Sequence, residues 1–315
     1  MERGVIRADG LWAGYPTGFQ RRWRDVLQGV SFHVPRGSVT GYLGVNGAGK
    51  TTTIKVLVGI NRPSRGSVQV AGHPAGSRGA QLAVGYFPEA PFFYDGLTAR
   101  ELLDFFGRVA GVAAGERGRR SERLLDEVGL GHAGELQVKG FSKGMRQRLG
   151  LAQALVHDPE LLVLDEPLDG LDPMGRLHLR ELIAAQAQRG KTIFFSSHVL
   201  SDVETVCDHL VVLDGGAVAY DGTTRAFCGD DQERVRVVVR LPEEAARAAA
   251  AAAGVELDPS EEGAFAAACP GRAAADALIA AVVTAGGQVV EVERVRPTLE
   301  QTFMARFGQP REAAS

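Results

Sequence analysis

The sequence predicts an α/β chain followed by a second, smaller α+β domain. Three observations carry that prediction. Short β-branched runs alternate with amphipathic stretches up to about Phe227, a strand-like run leads straight into a glycine-rich turn and a helix, and the composition shifts towards alanine after Gly229. A length of 315 residues fits two domains, and 45% hydrophobic with 23% charged residues is enough apolar surface for a buried core.

Taken in order, Val26 to Val34 and Ser38 to Leu43 read as strands, Thr52 to Val58 as a helix and Ser67 to Val70 as a strand. From about Leu97 to Leu155 the patterns are helical, as in Arg100 to Val109 and Glu122 to Val128, so a helical insertion is expected over about 90–158. Leu161 to Leu164, Thr192 to Phe195 and Leu210 to Leu213 are the apolar runs of buried central strands, and Leu177 to Gln188 has helical spacing. The first domain is expected to span 1–228 and the second 229–315. In the second, Val235 to Leu241, Glu243 to Ala253, Val255 to Leu257, Ala264 to Cys269, Arg272 to Thr284 and Val289 to Val295 alternate as strand, helix, strand, strand, helix, strand. That order fits a ferredoxin-like βαββαβ unit. A last helix, Thr298 to Phe307, follows Pro297 and is stopped by Gly308. An alanine-rich solvated tail is the other reading of this stretch.

Charge and cysteine usage exclude several classes. Thirty-five basic against 38 acidic side chains leave a net charge of −3, without the basic footprint of a protein that wraps nucleic acid. Cys207, Cys228 and Cys269 are scattered and odd in number, which argues against a disulfide framework or zinc site and for a reducing compartment. The N-terminal stretch has no apolar core of signal-peptide length, and no uncharged run reaches the ~18 residues that cross a bilayer. Work at a membrane would need another chain to supply the spans. Two basic clusters, Arg21 with Arg22 and Arg24, and Arg117 with Arg119 and Arg120, read as solvated loops, with contact to phospholipid headgroups as the lesser reading.

The sharpest motif is Gly44-Val45-Asn46-Gly47-Ala48-Gly49-Lys50-Thr51, a full GxxxxGK[ST] match between a strand and a helix. Its glycines let several backbone N–H groups face one point at a helix N-terminus, where the dipole favours an anion. Lys50 would reach the β- and γ-phosphates of a nucleotide, and the Thr51 hydroxyl would ligate Mg2+. The apolar run ending at Leu164 delivers Asp165 and Glu166. Asp165 is the expected second magnesium ligand, and Glu166 the expected general base for water attack on the γ-phosphate.

With these residues in view, the chain resembles the ATP-binding subunits of ABC transporters over about 5–225. Phe141 to Leu149 is similar to the family's signature segment, with Ser142 and Gly144 at matching positions and Lys143 and Met145 in place of glycine and glutamine. Asp169 to Asp172 resembles the loop that links the two sites across the dimer, and His198 resembles the switch histidine that positions the attacking water. Tyr15 resembles the aromatic that stacks on adenine, with Trp12 close by as the alternative. Glu89 stands where the family places a glutamine that joins the nucleotide, and its metal, to the transport subunit; Leu168 stands where a small hydroxyl residue is usual.

The resemblance implies a P-loop NTPase core of the ABC ATPase type with a helical insertion, and an accessory ferredoxin-like domain as in the ABC-2 exporter branch. It implies ATP and Mg2+ as ligands, with Asn46 to Thr52, Tyr15, Ser142 and Gly144 on the nucleotide and Thr51, Asp165 and Glu89 on the metal. Glu166, His198 and Lys50 would carry catalysis. It further implies a homodimer or heterodimer of ATPase subunits in which Ser142 serves the partner's nucleotide, separate transmembrane subunits, no nucleic acid, and a place on the cytoplasmic face of the membrane. The rival is a soluble ABC-type ATPase acting on nucleic acid or ribosomes. Against it, only about 115 residues separate Lys50 from Asp165, without sustained heptads, and one ATPase unit is found.

Overall fold

The computed structural model describes residues 4–17, 22–229, 234–260 and 263–307. The chain divides into two compact units that meet between Thr224 and Arg225. Arg21 and Gly308, singled out from the sequence, lie outside the described residues.

In the first unit, β1 (Ile6–Thr17) and β2 (Arg22–Val34) pair antiparallel. The sequence gives little warning of β1, because its register shifts three times against β2 and glycines break the alternation. Gly14 is one cause: a Cβ there would lie 2.0 Å from the Arg24 carbonyl oxygen. Next come the buried β3 (Val39–Gly44) and α1 (Lys50–Leu57). β4 (Arg65–Val70) and the two-residue β5 (His73–Pro74) complete a four-stranded sheet in the order β2-β1-β4-β5. α2 (Arg78–Ala83) then leads into β6 (Val84–Phe87), a strand too short to read from its pattern.

The helical insertion follows as α3 (Ala99–Val109), α4 (Ala114–Glu127) and α5 (Lys143–Leu155). A capping box starts α3, with Thr98 accepting from the Glu101 N–H and the Glu101 carboxylate accepting from the Thr98 N–H. Ser142 caps α5 by accepting from the Met145 N–H. Within the insertion Arg117 pairs with Asp104 at 2.8 Å, and Arg120 donates to the Val156 carbonyl at 3.2 Å. Two members of that basic cluster therefore hold helices together, and only Arg119 remains a freely solvated side chain of the three.

β7 (Leu161–Asp165), α6 (Pro173–Gln188), β8 (Thr192–Ser196), α7 (Leu200–Val206), β9 (His209–Asp214) and β10 (Ala217–Thr223) finish the first unit. The main sheet runs β10-β9-β3-β8-β7-β6, parallel throughout except for the edge strand β10. Buried on both faces, β7 is apolar from Leu161 to Leu164 and β8 from Ile193 to Phe195, which is why they are legible. Phe32, Tyr42 and Phe194 pack with ring centroids 4.9 to 6.0 Å apart. The buried Tyr42 hydroxyl lies 2.9 Å from Thr53 Oγ1, tying β3 to α1, and burial raises its phenol above the usual range.

α8 (Thr224–Cys228) straddles the junction. Thr224 stays with the first unit because its N–H reaches the Asp208 carbonyl at 3.0 Å and its hydroxyl the Cys207 carbonyl at 2.7 Å. Phe227 stacks on Phe307 at 6.5 Å and belongs to the second unit. The compact units therefore divide four residues before the junction expected at 228/229.

The second unit comprises β11 (Arg234–Arg240), α9 (Glu243–Ala253), β12 (Leu257–Pro259), β13 (Ala264–Cys269), α10 (Arg272–Thr284), β14 (Gln288–Val295) and α11 (Leu299–Phe307). Its antiparallel sheet runs β12-β13-β11-β14. Val235, Val237, Val239, Ala246, Ala267, Leu278 and Val282 form a core of its own, so the stretch is not a solvated tail. The three cysteines are free, with Cys207 and Cys269 buried. Among the described residues no helix is long and apolar enough to cross a membrane.

Two histidines of the first unit are held neutral by burial. His157 Nε2 lies 3.0 Å from the Val84 carbonyl oxygen, His209 is 7% exposed, and desolvation lowers both pKa values below 6.5. Between the lowered folded value and 6.5 the unfolded chain binds protons that the folded chain does not, so stability rises with pH through that window. The contribution of these two histidines to the unfolding free energy is expected to be level above about pH 6.5 and to fall as acid is added, by at most about 1.4 kcal/mol per pH unit for each. Denaturant unfolding of a His157→Gln variant at pH 7.0 and 5.5 checks this, and its acid slope should be shallower than that of the parent.

Candidate functional site

The main sheet brings the chemistry-bearing residues to one edge. β3 ends at the glycine-rich loop, β7 at Asp165 and Glu166, and β8 at Ser196, Ser197 and His198. β8 lies between β3 and β7, so the three carboxyl ends open side by side, the position where parallel sheets place ligands. Tyr15 reaches the same place from β1. An open pocket of about 420 Å³ results, lined by Tyr15, Asn46, Gly47, Gly49, Lys50, Thr51, Thr52, Glu89, Glu166, His198 and two residues absent from the expected set of ligands, Val26 and Asp169.

The loop has the form an anion requires. Gly49, the N-cap of α1, sits at φ 110° and supplies no side-chain cap, and a Cβ on it would lie 2.5 Å from Leu27 Cδ2. The first-turn N–H groups of α1 are thereby left facing the pocket. Lys50 is 9% exposed and donates to the Gly44 carbonyl at 2.7 Å, so its ammonium lies back across the loop. Desolvation lowers its pKa, while Glu166 and Asp165 pull it up. Ala48, expected among the nucleotide contacts, is 4% exposed with its N–H spent on the Val45 carbonyl at 3.0 Å; in this conformation it supports the loop from behind.

The acidic side is ordered by Ser196, whose role the sequence did not signal. Its hydroxyl donates to Asp165 Oδ1 at 2.7 Å and accepts from the Glu166 N–H at 3.1 Å. Asp165 is 3% exposed, and burial first, then Glu166 and Glu89, raise its pKa against the opposing hydrogen bond from Ser196. Glu166 adopts φ 47°, a left-handed conformation uncommon for a residue with a side chain and characteristic of functional positions. One carboxylate oxygen of Glu166 accepts from both the His198 N–H at 3.1 Å and His198 Nδ1 at 2.8 Å. Because an ionised carboxylate only accepts, Nδ1 is the donor in this contact, and Nε2 lies on the opposite edge of the ring.

The donor set fits a magnesium–phosphate complex. The lining carries a single lysine against Glu89, Glu166 and Asp169, with Asp165 just behind. A polyphosphate would meet net negative charge there unless a cation came with it. Among the described residues no three His, Cys, Asp or Glu side chains converge as a self-sufficient metal site. Thr51, Asp165 and Glu89 instead carry oxygens of the kind that would hold Mg2+ together with substrate phosphates.

Ser142 and Gly144 are not part of this pocket. They begin α5, and within one chain the structure does not bring them to Lys50. Trp12 is also elsewhere, under the Arg65 guanidinium at 5.4 Å, which leaves Tyr15 as the aromatic in the pocket wall.

Comparison with known proteins agrees with this geometry. The profile of the ABC transporter family matches residues 27–169. An uncharacterized ABC transporter ATP-binding protein of Synechocystis is 39% identical over 98% of this chain and 86% of its own length. A daunorubicin resistance ATP-binding protein of Streptomyces coeruleorubidus is 33% identical over 93% of this chain and 95% of its own. A solved ATP-binding subunit of an ABC transporter, 34% identical, superimposes with a TM-score of 0.63 over 71% of this chain and 91% of its own.

Lys50→Ala should weaken retention of ATP at least about tenfold, and equilibrium dialysis with labelled ATP and Mg2+ measures that directly. Glu166→Gln keeps the shape but removes the carboxylate expected to act as base. Its ATP turnover should fall roughly 10²- to 10³-fold while nucleotide is still retained, as read by phosphate release alongside filter binding.

Proposed function

This chain belongs to the ABC transporter family as an ATP-binding, ATP-hydrolysing subunit, and from that premise we propose that it is the motor of an exporter, closing with a second ATPase subunit over two Mg-ATP molecules to drive separate transmembrane subunits. One observation supports the reading: the glycine-rich loop, Lys50, Glu166 and His198 share one pocket, and Ser142 and Gly144 are not among the residues that line it. A second set of phosphate donors is therefore left for another copy or a close relative to use. The relative named for daunorubicin resistance supports export as the direction of transport.

In this reading the adenine lies against Tyr15, and the β- and γ-phosphates rest on the N–H groups of Gly47 and of Gly49 to Thr52 with the Lys50 ammonium swung from the Gly44 carbonyl onto them. Thr51 and Asp165, with Glu89, would hold Mg2+, which supplies neutralisation of phosphate charge when bound. Glu166 takes a proton from the attacking water through its carboxylate. His198, already fixed by its own N–H and Nδ1 on that carboxylate, keeps the base in one orientation and presents Nε2 to the γ-phosphate side. Closure is a ligand-driven population shift, since the γ-phosphate adds contacts with the second subunit's Ser142 segment that are lost after hydrolysis.

The helical insertion supplies a surface for the membrane partner. Three residues beyond Glu89, Phe92 is 85% exposed, Tyr94 is exposed, and Tyr94 packs edge-on to the half-exposed Phe105 at 5.5 Å. An aromatic patch joined directly to a pocket residue suits a docking site that feels nucleotide binding. The protein then sits on the cytoplasmic face of the membrane through its partner. No observation favours the soluble rival: α3, α4 and α5 are 11 to 14 residues long, not the arms of a coiled coil.

Detergent extraction of membranes that hold the tagged Glu166→Gln chain should recover a polytopic subunit, and a Phe92→Ser/Phe105→Ser pair should reduce that recovery several-fold without lowering ATP retention. Recovery with ribosomes or nucleic acid in place of a membrane subunit would overturn the transport reading.

A further inference from the structure

Lys143 replaces a glycine of the signature segment, and the structure gives its side chain a specific seat. It is the first residue of α5, next to the cap Ser142. Its ammonium lies 3.9 Å from Asp169 Oδ2, and the side chain crosses the backbone of Gly170 so closely that a Cβ there would fall 1.8 Å from Nζ and 2.9 Å from Cε. Gly170 has φ 62°, so the loop turns beneath the lysine at a position suited to glycine. On the other side of Asp169, its Oδ1 lies 3.9 Å from His198 Nε2, and His198 Nδ1 lies 2.8 Å from Glu166 Oε2. The Asp169 N–H also donates to the Glu166 carbonyl at 3.1 Å.

These contacts form one path: α5 N-terminus, Lys143, Asp169, His198, Glu166. Without Lys143 the Asp169 carboxylate would face Glu166 across the pocket with no lysine beside it, since Lys50 is engaged with the loop at Gly44. From this geometry we infer that Lys143 is a positioning residue that ties the phosphate-facing end of α5 to the catalytic pair of its own chain, holding Asp169 beside His198 until a phosphate competes for the ammonium. The competing phosphate is that of the nucleotide held by the partner subunit, a step that rests on the two-subunit reading above. An exposed lysine exchanges a carboxylate for a polyphosphate readily, because the polyphosphate carries more charge and each exposed ion pair is weak. Release of Asp169 then changes what faces Nε2 of His198. Arrival of nucleotide at one site is thereby registered at the base of the other.

The test uses the full chain with its membrane partner. Lys143→Met should lower kcat about tenfold or more in the assembled transporter and leave ATP retention by the isolated subunit within about twofold, because Lys143 is absent from the nucleotide pocket of its own chain. Lys143→Arg, which keeps the charge, should restore most of kcat. Asp169→Asn should resemble Lys143→Met, and the double variant should be no slower than the slower single one. An unchanged thermal midpoint for each variant separates this from misfolding. Wild-type kcat in Lys143→Met, failure of Lys143→Arg to rescue, or effects of the two singles that multiply would overturn the inference. Sedimentation of the Glu166→Gln chain with ATP separates the two levels. If it dimerises while Lys143→Met turns over normally, the tie is wrong and the two-subunit reading stands. If it stays monomeric, that reading fails and the partner-phosphate half of the inference falls with it.

Discussion

The structure is organised around an electrostatic imbalance. Four carboxylates, Asp165, Glu166, Glu89 and Asp169, gather at the carboxyl edge of a parallel sheet around one half-engaged lysine. Asp165 is the extreme case, buried to 3% exposure and pushed towards its protonated form by burial and by its neighbours. No folded chain gains stability from such a cluster alone. It becomes favourable when a divalent cation and a polyphosphate arrive together, since each neutralises what the other and the protein leave uncompensated. The neighbouring elements serve that arrangement: Ser196 holds two acidic residues apart with one hydroxyl, and Tyr42 pins the strand before the phosphate loop to the helix after it.

Legibility from sequence followed burial and locality. β7, β8 and β9 were readable because strands covered on both faces must be apolar throughout. The phosphate loop was readable because its chemistry is local, with glycines, lysine and threonine all serving one short turn. β1 was not: its bulges and its close approach to β2 at Gly14 erase the alternation that marks a half-buried strand. β6 fails for another reason, since Gly85 is excluded from having a side chain by the Ala154 carbonyl, 2.1 Å from where its Cβ would be. In the site itself, Glu166 and His198 could be named singly, but their shared oxygen could not. That contact joins residues 32 apart through the adjacency of two parallel strands. Ser196 stayed silent because a serine at a strand end has many ordinary uses.

The departures from the family pattern acquire meaning from their surroundings. Glu89 adds a negative charge where an amide is usual, and it is among the groups that raise Asp165, so it shifts the pocket further towards needing a cation. Lys143 adds a positive charge on the other side, beside Asp169. The two changes are opposite in sign and lie at opposite ends of the same acidic cluster. Summed over the two positions the charge is what a glutamine and a glycine would carry, with the positive charge on α5 and the negative one in the pocket.

Glu166 shows where control of turnover must reside. Its backbone is held in a left-handed conformation by the double acceptance of its N–H at Ser196, and its carboxylate is fixed by two donors from His198. The strain of that backbone is sustained by contacts within the chain itself, and a carboxylate held this way would need little reorientation to act as a base. Ser142 and Gly144 are not among the residues that line the pocket of their own chain. The loop from Asp169 to Asp172 lies next to both features, with Asp169 on the pocket wall and its carboxylate 3.9 Å from the Lys143 ammonium at the start of α5.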